Sequence, residues 1–385
     1  MTPGARVAAA IGLLDAWRDG VPIEKALTNW ARGARYAGAR DRAAVRDHVY
    51  DVLRRLGSCR ALGAGEDGRA LLIGLLRLDG LDPADRFTGE GHAPPRLSAA
   101  EAATEAAQPD AWADVPGWAR PLLSARDPDA ACALAGALCH RAPVWLRVNP
   151  RKADRETAID RLAADGVETG TDQRGALALR VVSGARRVKT SGAYNDGLVE
   201  LQDLSAQRAV AAVDWPPGRI LDLCAGGGGK TLALAASTDA TLFADDAAPA
   251  RMRDLPRRAA RAGVDITSCT ADGPERHAPF DAVLCDVPCS GSGVWRRDPE
   301  AKWRLTPARL AALQRAQADI LDRAAGLLRP GGRLVYMTCS LFRPENEEQV
   351  AAFLGRHPGW VCRDRRCDTP LTASDGFFTA VLDAP

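Results

Sequence analysis

Two cysteines of this chain stand where apolar runs give way to polar turns. Cys289 lies in Asp286-Val-Pro-Cys-Ser-Gly-Ser-Gly293 and Cys339 in Thr338-Cys339-Ser340. Each follows a stretch of strand length, Ala282–Cys285 and Leu334–Met337. A thiol at such an exit suits covalent chemistry, because partial exposure and nearby charge favour the thiolate. Cys285, apolar-flanked in mid-run, reads instead as a small buried hydrophobe. Zinc would want tight Cys-x-x-Cys pairs, but the close pairs Cys285/Cys289 and Cys362/Cys367 are wider and lack a neighbouring His, so no metal is expected. Asp286 adds a carboxyl group to the strand exit that carries Cys289.

A third strand-like run, Arg219-Ile-Leu-Asp-Leu-Cys224, leads directly into Ala225-Gly226-Gly227-Gly228-Gly229-Lys230-Thr231. Four glycines let the backbone turn sharply and approach a ligand. A phosphate-binding P-loop would need Gly at Cys224, and a dinucleotide fingerprint on Gly226 and Gly228 would need Gly at Thr231. Both templates fail by one residue, which leaves a loop packed against the methionine part of S-adenosylmethionine. The next run ends in Asp245-Asp246, about 20 residues past the glycines, where an acid can accept from both ribose hydroxyls of an adenosine cofactor. Asp246 is the choice of the two, since the residues up to Arg251 read as a helix start; the plain alternative is a pair of loop carboxylates. Asp272, ending a further run, is placed to meet the adenine. The expected cofactor set is therefore Cys224, Ala225, Gly226, Gly227, Gly228, Gly229, Lys230, Asp246, Arg251, Asp272 and Asp286.

These groups together suit methylation of a cytosine at carbon 5. That carbon is too weak a nucleophile to attack a methyl sulfonium unaided. A thiolate added to carbon 6 pushes electron density onto it, splitting one hard step into easier ones. A carboxyl group near N3, for which Asp286 is placed, would stabilise the charge that develops on the ring.

The elements that must position these residues are regular. Apolar runs at Ile220–Leu223, Thr241–Ala244, Ile266–Cys269, Ala282–Cys285 and Leu334–Met337 alternate with helical stretches such as Pro307 to Leu328. That alternation predicts an α/β domain with a parallel sheet covered on both faces, and ligands at the carboxyl ends of its strands. Upstream, Pro143 to about Val182 predicts a small β-α-β module: strand 144–148, helix Arg155 to Ala164, strand Ala176 to Val182. Residues 1–60 read as helices, with Val45, Val49, Val52 and Leu53 at helical spacing. The periodicity fades from Leu78 to about Pro109, as in a loop, and returns at Pro121 to His140.

With 385 residues, 46% hydrophobic and 26% charged, the chain is neither disordered nor fibrous. The N-terminal apolar stretch Val7 to Leu14 is too short to span a membrane and lacks a cleavage site, so the ten cysteines are expected in a reducing cytoplasm. Residues 1–60 hold eleven Lys/Arg against six Asp/Glu, whereas residues 61–130 hold six against twelve. This asymmetry fits an RNA-contacting face in the first part, or equally solvated helix faces. Local basic patches are expected to bind RNA: Arg186, Arg187 and Lys189, and Arg296, Arg297 and Lys302 around Trp295 and Trp303, where aromatic rings would stack on an unpaired base.

At the cysteine and glycine motifs the chain resembles the Sun-type RNA cytosine-5 methyltransferases, most closely the bacterial small-subunit rRNA methyltransferase B group. The resemblance implies a Rossmann-like methyltransferase domain over residues 196–385, a small RNA-binding module over 141–195 and a helical NusB-like domain with linker over 1–140. It further implies Cys339 as the nucleophile, Cys289 as the residue assisting product release, Asp286 in contact with base and cofactor, and Lys230 in the catalytic centre. Gln202-Asp203-Leu-Ser205-Ala-Gln207, Leu146-Arg147-Val148-Asn149, Asp375 to Ala380 and Arg40-Asp41-Arg42 agree with the same family. One departure is Gly226-Gly227 where the family carries Ala-Pro, which loosens the loop without removing a side chain. The expected partner is RNA, ribosomal RNA first and tRNA as the alternative, with no membrane and no metal, and the chain is expected to act as a monomer. A DNA-type enzyme using Cys289 as nucleophile, or a non-catalytic RNA-binding assembly factor, would leave one or both cysteines without a role.

Overall fold

The computed structural model describes residues 1–103, 109–269 and 271–385. Five residues of the loop expected between Leu78 and Pro109 lie outside that description. Contacts divide the chain into two compact units: Met1–Arg141 with Trp295–Arg304, and Ala142–Val294 with Leu305–Pro385.

The first unit is helical. Its leading helix, Pro3–Arg18, starts where the Thr2 hydroxyl accepts from the Ala5 amide and Pro3 takes a position needing no donor. It buries Val7, Ala10, Leu13 and Leu14 against Val45, Val49, Val52 and Leu53 of the helix Ala39–Arg54. The helices Leu56–Gly63 and Gly68–Leu78 pack backbone to backbone. A Cβ on Gly63 would lie 1.9 Å from the Ala70 carbonyl oxygen, and one on Gly74 2.0 Å from that of Cys59. The helical signal expected from Pro121 to His140 resolves into two short helices, Arg120–Ser124 and Ala131–Leu138.

Residues 295–304 belong to this unit and are not the base-stacking patch that the sequence leads one to expect. Trp295 and Lys302 are wholly buried and Arg296 nearly so, so they form no base-stacking patch. Lys302 Nζ donates to the Arg54 carbonyl at 2.8 Å, Trp303 Nε1 donates to the Leu53 carbonyl, and Arg54 Nε donates to the carbonyl of Arg296. The Leu53 and Arg54 carbonyls at the end of the helix Ala39–Arg54 take the first two donors, which is how a helix C-terminus satisfies its orphan acceptors. Arg297, Arg186, Arg187 and Lys189 are exposed.

The second unit holds two sheets. The smaller contains β1 (Trp145–Val148), β2 (Glu168–Thr171), β3 (Ala178–Ser183) and β4 (Val199–Leu201) in the order β2-β3-β1-β4. β1 pairs antiparallel with β3 and β4, and β2 antiparallel with β3. The β-α-β expectation found β1, β3 and the helix Arg155–Ala164 but missed β2 and β4. β2, Glu-Thr-Gly-Thr, exposes its ends, half-buries its middle and carries no apolar alternation to announce it.

The larger sheet runs β10-β11-β9-β8-β5-β6-β7, with β5 (Arg219–Asp222), β6 (Thr241–Ala244), β7 (Thr267–Ser268), β8 (Phe280–Asp286), β9 (Leu328–Thr338), β10 (Val361–Asp368) and β11 (Phe377–Asp383). β7, β6, β5, β8 and β9 are parallel; β11 is antiparallel to β9 and β10 to β11. Leu221, Val283, Cys285, Leu334 and Tyr336 pack one face, and Ile220, Ala282, Leu284, Val335 and Met337 the other. Strand order reverses between β5 and β8, so their carboxyl ends open a crevice there. Among the described residues no helix is long and apolar enough to cross a membrane.

Candidate active site

The crevice is lined from three strand ends. β5 delivers the glycine loop, β8 delivers Asp286 and the Cys289 turn, and β9 delivers Cys339. Cys289 Sγ and Cys339 Sγ lie 3.4 Å apart, both half-buried. They are free thiols with no geometry of a bond between them, since a disulfide would close to about 2.05 Å. Their mutual hydrogen bond and burial push the Cys289 thiol well above its ordinary range. Either sulfur can be the donor of this contact, and the upward push favours the thiol form of Cys289.

Lys230 heads the helix Gly229–Ser237 and forms a short ion pair with Asp286; its ammonium also sits 4.9 Å from the centre of the Phe377 ring. Burial would lower the Lys230 pKa, but Asp286 and then Cys339 outweigh it, and the ammonium is held above its usual range. A fixed positive charge thus stands beside both the carboxylate and the thiol. Beneath them Asp222 accepts from Thr231 Oγ1 at 2.7 Å, and burial pushes its carboxyl up to about 7.

The glycines are required by geometry at two points. Gly226 has φ +52° and Gly228 φ +81°, and a Cβ on Gly228 would lie 2.2 Å from Leu255 Cδ1. Asp246, almost fully buried, accepts from the Gly226 amide at 2.9 Å and the Ala248 amide at 2.8 Å, and pairs with Arg251 at 3.1 Å. The structure thus gives Asp246 a part in shaping the loop that the sequence did not suggest. Ala225 N donates to the Asp245 carbonyl, locking the loop to the end of β6. Burial pushes Cys224 up to about 12, a thiol rather than a thiolate. Gln202 Nε2 donates to the Gly229 carbonyl at 3.2 Å. Asp272 stands apart: it pairs with His277 at 3.4 Å and Arg276 at 3.9 Å, and with none of the residues above.

A buried carboxylate that sequence reasoning missed joins the two cysteine turns. Glu345 accepts from the Ser290 amide at 2.8 Å, from the hydroxyls of Ser290 and Ser340, and from Gln317 Nε2 at 3.0 Å. Asn346 adds to the brace, accepting from Thr338 Oγ1 at 2.6 Å and donating to the Ser340 carbonyl at 2.9 Å. The Gly293 amide donates to the Cys339 carbonyl. The repeated Cys-Ser pair was the available signal: two serines following two cysteines can share one acceptor.

The family model described as 16S rRNA methyltransferase RsmB/F matches residues 214–382, and that described as the RsmF/B-like ferredoxin-like domain matches residues 115–187. Among curated proteins, the ribosomal RNA small subunit methyltransferase B of Xylella fastidiosa (strain Temecula1 / ATCC 700964) is 35% identical over 355 residues, covering 82% of this chain and 81% of that one. Among solved structures, PH0851 covers 99% of both chains with TM-score 0.78 at 24% identity. A methyltransferase homolog from Pyrococcus horikoshii covers 69% of this chain and 94% of its own with TM-score 0.60 at 24% identity. These likenesses to solved structures show the fold. The curated relative, with four-fifths of its length matched, shows more: this chain belongs to the RsmB/F family of 16S rRNA methyltransferases.

Proposed function

We propose that this protein transfers a methyl group from S-adenosylmethionine to carbon 5 of a cytosine in ribosomal RNA, with Cys339 adding covalently to carbon 6. The observation that carries the reading is the pair of thiols 3.4 Å apart beside the Lys230–Asp286 ion pair. A single structural cysteine would need neither its twin nor the charge.

The residues at the strand ends fit the cofactor. The glycine loop leaves room at its helix end, where a Cβ on Gly229 would meet nothing within 4 Å, and the amides there favour a carboxylate. Asp246 retains acceptor capacity for ribose hydroxyls, a carboxylate having about four lone-pair sites. Cys224 to Lys230, Arg251 and Asp286 complete the wall, and Asp272 is assigned to the adenine. When bound, S-adenosylmethionine supplies the electrophilic methyl group.

The chain's own groups do the rest. The Cys339 thiolate forms the bond to carbon 6 and the ring's 5,6 electron pair becomes available at carbon 5. Asp286, hydrogen-bonded at the N3 edge and anchored by Lys230, stabilises the charge spread over the ring. Once carbon 5 is methylated, its proton leaves to a base and the electrons of that C–H bond restore the 5,6 double bond as the Cys339–carbon 6 bond breaks. Cys289, kept as a thiol, is placed to return a proton to the departing Cys339 sulfur.

The helical residues 1–140 are read as a NusB-like RNA-binding domain, 141–195 as an RNA-binding module and 196–385 as the catalytic domain. Exposed Tyr36, flanked by exposed Arg32, Arg35 and Arg40, supports the first. We read the protein as a cytoplasmic monomer.

The test is to incubate the protein with S-adenosylmethionine and unmethylated ribosomal RNA or tRNA and digest each to nucleosides for mass spectrometry. The expected product is 5-methylcytidine in ribosomal RNA. Methylation of tRNA alone would move the substrate, and another methylated nucleoside would overturn the chemistry.

A further inference from the structure

On the unit that carries both sheets, a cavity of about 510 Å³ opens away from the glycine loop and the cysteines. Among the described residues its wall is lined by four arginines, Arg147, Arg174, Arg208 and Arg366, and by no Asp or Glu. Its floor is apolar, made by Leu177, Val210 and flanking alanines. A volume of this order matches small-ligand sites of roughly 300–1,000 Å³.

The four arginines are not equivalent. Arg174 is committed to Asp172 and to the carbonyls of Thr372 and Ala373, and Arg208 to Asp368 at 2.9 Å. Arg366 stands exposed on the edge strand β10 and has no protein partner among the described residues. Arg147 is the unusual one. It is only 6% exposed, and among the described residues its side chain makes one hydrogen bond, from Nε to Gln202 Oε1 at 2.7 Å. Glu200, its cross-strand neighbour, is already bound by Arg258 and by Arg261 at 2.6 Å. Burial pushes the Arg147 guanidinium down to about 10 despite Glu200. Its terminal nitrogens take no protein partner among the described residues and open to the cavity, where an anion would meet a guanidinium already oriented by Gln202.

We propose that this cavity binds the phosphate of a nucleotide, held by Arg147 and Arg366, with the nucleoside part over the apolar floor. A guanidinium fork matches phosphate oxygens two at a time and also stacks on planar bases. A bare inorganic ion would leave most of the cavity and all of its apolar floor unused. The same chemistry is offered by a free nucleotide and by a nucleotide of an RNA strand.

The site is independent of the methyl-transfer reading, because its test measures binding alone. Guanosine 5′-monophosphate and guanosine are titrated calorimetrically into the full chain, with S-adenosylhomocysteine present to fill the glycine-loop site. The phosphorylated probe is expected to bind at one site at least tenfold more tightly than guanosine. Arg147→Met and Arg366→Met should each weaken it about tenfold. Arg366 is exposed, so its variant reports even if Arg147→Met fails to fold. Equal affinity for guanosine, no binding at millimolar concentration, or wild-type affinity in the Arg366 variant overturns the proposal. A single-stranded oligoribonucleotide added as competitor then separates the sources: displacement assigns the site to RNA, and its absence, with the monophosphate still bound, assigns it to a free nucleotide.

Discussion

Lys230 and Lys302 are two lysines taken out of water in different parts of this chain, and their surroundings move them in opposite directions. Lys230 faces Asp286, and the carboxylate outweighs burial and holds the ammonium above its usual range. Among the described residues Lys302 has no carboxylate in contact. Its ammonium donates to the Arg54 carbonyl, and burial pushes its pKa down to about 8 although Cys139 and Asp114 pull the other way. The contrast teaches that burial of a charged group does not by itself mark a working site. What marks one here is a charge partner that also faces the reacting groups, as Asp286 does beside the thiols.

The largest expected effect breaks the partnered lysine. Lys230→Met removes the cation beside Asp286 and Cys339 and should lower kcat by on the order of 10²–10³-fold, the usual loss when a preorganised charge is deleted. Steady-state kinetics with labelled S-adenosylmethionine would show it, and a loss under threefold would mean the pair is structural.

Glu345→Gln sharpens the same point, since Glu345 works through the serines beside the cysteines. Here kcat should fall by roughly 10–100-fold with little change in KM for RNA, because misplacing reacting atoms is costly without altering binding. A change confined to KM would contradict a positioning role. Asp246→Ala should raise KM for the cofactor by about tenfold, equivalent to about 1.4 kcal/mol, and leave kcat within about twofold. An unchanged KM would take Asp246 out of the cofactor wall.

The smallest effect on activity belongs to Lys302→Met, which should leave kcat within about twofold of wild type. Its signature is in stability. The folded pKa of Lys302, about 8, lies below the ordinary 10.5, so the unfolded chain binds the proton more tightly between those values. Stability therefore rises with pH from about 8 to 10.5. Below that window the buried charge costs about 3 kcal/mol, at about 1.4 kcal/mol per pKa unit. Replacing the lysine removes that cost and one hydrogen bond worth about 1 kcal/mol. Urea unfolding should show the variant about 1–2 kcal/mol more stable at pH 7, with the advantage gone by pH 10. A pH-independent loss would contradict it.

The same two lysines show how much the sequence could say. Lys230 was legible because the glycine loop, a local pattern after a strand, placed it. β5, β6, β8 and β9 were legible for the same reason, as buried apolar runs with turn residues at their ends. Lys302 was not, because arginine, lysine and tryptophan in ten residues read alike whether they meet solvent or the interior; only the carbonyls of Leu53 and Arg54, some 250 positions away, decide. β10, Val-Cys-Arg-Asp-Arg-Arg-Cys-Asp, escaped notice because an edge strand keeps charged side chains that discourage further pairing. Glu345 was hidden likewise: in sequence it is one acid in a turn, and its four hydrogen-bond donors come from three separate stretches.

The most direct test of the account asks which thiol bonds to the base. Cys289→Ala and Cys339→Ala are each incubated with S-adenosylmethionine and unmethylated ribosomal RNA and run on a denaturing gel. Cys289→Ala, able to add but impaired in release, is expected to accumulate a protein–RNA adduct, while Cys339→Ala forms none and transfers no methyl group. An adduct in Cys339→Ala, or retained transfer there with loss in Cys289→Ala, would contradict it and make Cys289 the nucleophile.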